Sequence, residues 1–100
     1  MEKVTVPLIY PIKLNGVECD KFTMRRPKVR DMRSAQKLAP NDVEQQELIL
    51  FGNLADVSPD DIEEMDMVDY ERVQDRYYSF RSVREDGPKD AQGAGETAGV

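Results

Sequence analysis

"VTVPLIYPIKLNGVECDKFTMRRPKVRDM", residues 4–32, changes its hydrophobic period along its length, and that change decides the fold. Val4, Val6, Leu8, Tyr10, Ile12 and Leu14 share one face at period two, the signature of a strand. Pro7 and Pro11 fall on the other face, and a proline cannot donate to a ladder, so this is an edge strand or one broken near Pro11. Asn15-Gly16 supplies the two positive-φ positions of a type I′ turn, which predicts a β-hairpin. Folding back there sets Leu14 against Val17 and Ile12 against Cys19. That register alone turns Phe22 and Met24 to the wrong face. One extra residue switches the face, so a bulge near Asp20-Lys21 is predicted.

Beyond the hairpin the period becomes helical. Arg26 precedes Pro27 and is biased to extended backbone, so the second strand ends there. A helix is predicted over about 28–38, with Val29, Met32, Ala35 and Ala39 facing inward and Pro40 stopping it. Asn41 or Asp42 caps a second helix, whose apolar residues Val43, Leu48, Ile49, Leu50, Phe51 and Leu54 are too widely spread for a single stripe. It is either central and buried, or it shows one face to a partner. Ser58-Pro59-Asp60-Asp61 opens a short helix holding Ile62 and Met65. Asp66 caps a longer one carrying Met67, Tyr70, Val73, Tyr77 and Phe80. From Glu85 the text "EDGPKDAQGAGETAGV" has no large apolar side chain before Val100 and is expected to be a flexible tail. The expected fold class is α+β: an N-terminal β-hairpin on three to four helices, one domain over 1–84 and a polar tail over 85–100.

Composition bounds the chemistry. One hundred residues allow one modest core. No histidine is present, which removes the commonest general base and metal ligand, and the lone Cys19 cannot form an internal disulfide. No glycine-rich phosphate loop and no nucleophile–base pair can be drawn. The acidic run "DDIEEMDMVD" lacks the alternating oxygen ligands and sixth-position glycine of a calcium loop. Neither an enzyme nor a cofactor is expected. The start "MEKVTVPLIYPIK" lacks the pattern of a secretory signal, and no stretch is long enough to span a bilayer.

Charge is arranged in blocks. Residues 21–37 carry seven of the fourteen bases (Lys21, Arg25, Arg26, Lys28, Arg30, Arg33, Lys37) against Asp31 alone. Residues 38–71 carry acids and no base. Three readings stand for this basic junction: a solvated face partly paired with the chain's own acidic helices, a docking face for an acidic protein, and a nucleic-acid site. The last is opposed by a net charge of -6 and by the lack of aromatics among the bases. A docking face would draw specificity and on-rate from charge complementarity. Candidate partner-binding residues are therefore Arg25, Arg26, Arg30, Arg33 and Lys37, with Phe51 and Tyr78 as apolar members.

Taken in order, these features resemble the tail assembly chaperones of Mu-like and P2-like contractile-tailed bacteriophages. The resemblance rests on "VPLIYPIKLNGVECDKFTMRRPKVRDM" followed by "ELILFGNLADVSPDDIEEMDMVDYERVQDRYYSF" and covers roughly residues 4 to 82. It implies a small non-catalytic protein of the host cytoplasm, absent from the finished virion. Such a protein would bind the tape measure protein, keep that long helical chain soluble and help tail tube subunits polymerise around it, with self-association also open. Many genes of this kind give a longer product by ribosomal frameshifting. Neither nucleic acid, membrane nor small-molecule substrate is implied. Two other classes remain: a minor structural component of the tail, and an acidic inhibitor or DNA mimic encoded by a phage.

Overall fold

The computed structural model describes residues 2–81. The expected tail over 85–100 and the end of the expected domain lie outside the described residues. The element order is β1 (Lys3–Leu14), β2 (Val17–Arg25), α1 (Val29–Leu38), α2 (Val43–Ala55), α3 (Pro59–Ile62) and α4 (Met67–Arg81). An antiparallel hairpin therefore packs on helices, the predicted α+β class.

The hairpin turns at Asn15 (φ 54°) and Gly16 (φ 80°). Leu14 pairs with Val17 and Ile12 with Cys19, and a second register pairs Pro7 with Lys21 and Lys3 with Arg25. The predicted switch of face exists, but it is not at Asp20-Lys21 of β2. Residues 8–11 of β1 are the surplus and have only Asp20 opposite them. The reason lies in α4: the Asp69 carboxylate, with no exposed surface, accepts the N–H of Ile9 at 2.9 Å and of Tyr10 at 3.0 Å. Pro11 has no N–H to satisfy, so from Ile9 to Pro11 the bulged backbone leaves no donor unpaired. Val6, Leu8, Ile12, Leu14, Phe22 and Met24 are then all buried, whereas Tyr10, expected inward, is exposed.

The predicted caps are present. Asp42 accepts from the Gln45 N–H at 3.1 Å to start α2, and Ser58 accepts from the Asp60 N–H at 3.1 Å to start α3. Asp66 accepts from the Val68 N–H at 2.9 Å at the head of α4. Asp56, left-handed at φ 61°, ends α2, and the Val57 N–H returns to the Gly52 carbonyl at 3.0 Å. A Cβ on Gly52 would lie 2.7 Å from the Val57 carbonyl oxygen, so only glycine lets the chain double back this closely. Asn15 ties the hairpin tip to the same region, its N–H donating to Asp61 at 3.0 Å and its side-chain amide to the Asp56 carbonyl at 3.2 Å.

The core is one cluster between the hairpin's inner face, α2, α3 and α4, centred on Phe22, Met24, Phe51, Ile62 and Val73. Phe51 sits between two tyrosines of α4, 5.8 Å from the Tyr70 ring and 5.3 Å from Tyr77. Met67, expected on the apolar stripe of α4, is exposed, and the buried Asp69 takes the inward place near the head of that helix.

Candidate functional site

The site begins with the residue that turns α1. Val29 and Met32 were expected inward, but they are 69% and 46% exposed, and Asp31 is the buried residue at 4%. Its carboxylate is gripped by the Arg25 guanidinium at the end of β2, Nη1 to Oδ2 at 2.9 Å and Nη2 to Oδ1 at 2.7 Å. The Lys28 N–H adds a third donor at 2.8 Å. This pins α1 to the strand in one rotation. Ala35 and Ala39, each four residues further on, follow Asp31 inward, and their small side chains let the helix lie close. Val29 and Met32 are carried to the flank. The hydrogen bonds from Arg25 hold the Asp31 carboxyl below the ordinary carboxylate value despite its burial, and the same bonds raise Arg25.

That flank forms one wall of a groove of about 530 Å³ between α1, α2 and the end of α4. Its apolar lining comes from Val29 and Met32 on α1, Val43 and Leu50 on α2, and Tyr77, Tyr78 and Phe80 on α4. Arg26, Lys28 and Arg81 also line it, at the start of α1 and the end of α4. Gln46 and Glu47 contribute polar groups from α2. Glu47 is already engaged, accepting from the Tyr70 hydroxyl at 2.6 Å and from the Gln74 side chain at 2.7 Å. Burial first, and then this acid, raise the Tyr70 pKa, so its hydroxyl stays a donor.

The candidate residues divide. Arg25 is consumed by Asp31 and serves the fold. Arg26 lies 5.8 Å from the centroid of the Phe80 ring and 3.6 Å from the Glu2 carboxylate, with about half of its side chain exposed. Arg30, Arg33 and Lys37 are exposed on α1; among the described residues no salt bridge engages them, and Arg30 acts on the Asp31 carboxyl only as a nearby charge that helps lower it. Phe51 is 0% exposed, so it is a core residue and not part of any surface; the wide apolar spread of α2 reflects a helix packed on several sides. Tyr78, at 53% exposed, stands edge-on to Tyr77 at 5.5 Å and lines the groove.

Sequence reasoning missed Lys28, Val29, Met32 and Val43 as groove residues. The signal available was an aspartate followed by alanines at spacings of four, just beyond a strand ending in arginine. That spacing marks the inward face as polar and small. Among the described residues no group of histidine, cysteine, aspartate and glutamate is placed to hold a metal ion. No helix among them is long and apolar enough to cross a membrane.

Neither a curated protein nor a solved structure matches the chain. The family model described as "Phage tail assembly chaperone proteins, E, or 41 or 14" matches residues 5–82, a span that starts within β1 and takes in every helix. With most of its length inside that match, the chain belongs to the phage tail assembly chaperone family.

Proposed function

We propose that this chaperone acts by stoichiometric, non-catalytic binding of the tape measure protein. It keeps that chain soluble in the host cytoplasm while tail tube subunits polymerise around it, and is left out of the finished particle. The observation that carries the reading is the groove of exposed apolar side chains beside a ridge of bases that, among the described residues, make no salt bridge. A long helical client offers apolar stripes to such a groove, and charge orients its approach.

Co-expression with tape measure fragments tests it. The protein should capture them, and capture should weaken with salt, because exposed charges are screened beyond about 10 Å at 0.1 M. Changing Arg30, Arg33 and Lys37 together to Glu should reduce capture while the isolated fold melts as before. Normal capture by that variant would remove the ridge from the mechanism. Mass spectrometry of purified virions addresses the reading as a minor structural tail component, since a chaperone should be missing from them. A shift of a DNA or RNA probe by the wild type, lost in the triple variant, would favour a nucleic-acid site instead.

A further inference from the structure

We infer that the groove seats a single amphipathic helix of the client in one orientation, with its acidic end over Arg26, Lys28 and Arg81. This rests on the client-binding reading above and assigns the surface, the secondary structure and the polarity of what is bound.

The secondary structure follows from the walls. Helices supply most of the lining and spend their backbone N–H and C=O groups on their own turns. In the link Arg26–Lys28 the Arg26 and Lys28 N–H groups are given to Glu2 and Asp31 and Pro27 has none, leaving no row of donors for an extended peptide to join. What they present is side chains. Val29, Met32, Val43 and Tyr78 are 69%, 46%, 76% and 53% exposed, and all four line the groove. An apolar stripe at i, i+3, i+4 and i+7 buries such a surface without leaving backbone groups unpaired.

The polarity follows from charge. Among the described residues neither Lys28 nor Arg81 has a salt bridge, and Arg26 has only the long 3.6 Å contact to Glu2. Phe80 supports the Arg26 guanidinium from below, fixing its position without neutralising it. These cations gather in a chain whose net charge is -6, so the field they make is local. Along α2 the lining charge is the opposite one, Glu47, and its tie to Tyr70 and Gln74 keeps it in place. A client carboxylate is therefore attracted at the Arg26 end and repelled near Glu47. The Tyr70 and Gln74 side chains that hold Glu47 lie earlier along α4 than Arg81, and charges of opposite sign at two separate places make the two orientations of a bound helix unequal.

The test uses the full chain, isotope-labelled, and three synthetic helical peptides sharing one leucine stripe. One carries glutamates at a single end, the second carries lysines there, and the third is the first with nitroxide spin labels at either end. The glutamate peptide should shift signals of Val29, Met32, Val43 and Leu50 and bind at least about tenfold tighter than the lysine peptide. The label beside the glutamates should broaden signals of Lys28 and Arg81, and the label at the far end should broaden those near Glu47. Val43→Asp should weaken binding by about tenfold with an unchanged melt, whereas Leu38→Asp, outside the groove lining, should not. Shifts elsewhere, no preference for glutamate, equal broadening from both labels, or normal binding by Val43→Asp would each overturn the inference. So would a dimer of the chain abolished by Val43→Asp, which would make a second copy the occupant. If Val43→Asp still captures tape measure fragments, the groove assignment fails and the function stands. If the peptide seats as described and no tape measure fragment is captured, the function fails and the helix site stands.

Discussion

Asp69 and Tyr10 lie fifty-nine residues apart and are joined by a 3.0 Å hydrogen bond from the Tyr10 N–H to a carboxylate with no exposed surface. The same carboxylate takes the Ile9 N–H at 2.9 Å, and Arg72, one turn on, lies 3.4 Å from it. A single side chain of α4 thus holds the irregular part of β1, where ladder bonds are interrupted.

Replacing Asp69 by Ala should leave both amides without a partner in a part-buried place. The expected cost is on the order of 2–4 kcal/mol, from two hydrogen bonds to a charged group and the donors left behind. Denaturant unfolding measures the loss. Hydrogen exchange should quicken first at Ile9 and Tyr10, and unchanged protection there would show that the bulge holds itself.

The Arg25–Asp31 pair gives the fold a dependence on acid. The Asp31 carboxyl is lowered in the folded chain, so its contribution is present above the ordinary value of 3.8 and fades as pH falls through the lowered one. Asp31→Asn should therefore be less stable than wild type at neutral pH and approach it in strong acid. Arg25→Ala, which strands a buried carboxylate, should cost on the order of 2–3 kcal/mol at pH 7. A constant gap between Asp31→Asn and wild type across the acid range would contradict this.

Two glycines should fail for different reasons. At Gly16 nothing lies within 4 Å of an added Cβ, so Gly16→Val costs only backbone strain at φ 80°, on the order of 1–3 kcal/mol. At Gly52 the obstacle is the Val57 carbonyl oxygen at 2.7 Å, and even Gly52→Ala should lose about 1–3 kcal/mol by pushing α2 and the following loop apart. Gly16→Asn, which tolerates positive φ, should recover much of the first loss, and thermal melts of the three variants separate the causes.

Phe51 and Tyr78 should part company in the same way. Phe51→Ala opens the centre of the core and should cost about 3–5 kcal/mol. Tyr78→Ala, half exposed on the groove wall, should change stability by less than about 1 kcal/mol and reduce client capture. An unfolded Tyr78→Ala would mean that this ring serves the core instead.

The elements were legible because their signals are local. Asn15-Gly16, Ser58-Pro59 and Asp42 each dictate a turn or cap through their own backbone preferences, and the alternation before Leu14 requires a strand. What was not legible depended on partners distant in sequence. The bulge was known to be needed, since Phe22 and Met24 had to face in, but its strand was set by Asp69, far along the chain. The face of α1 was misjudged because apolar residues were assumed to point inward. A gripped aspartate did so instead, and Val29 and Met32 were left exposed on the groove wall. Phe51 could not be told from a surface residue within a helix apolar on several sides, since only tertiary packing decides which of those sides are covered.

Pro7 and Pro11, exposed along β1, have a consequence for how the protein keeps company at high concentration. A two-stranded sheet ends in two open margins, and each is a template on which another chain could crystallise out as a further strand. Along β1 that margin lacks two donors and is bent by the bulge, so it offers no continuous row for recruitment. The β1 side of the hairpin is thus a poor seed for growth by strand addition.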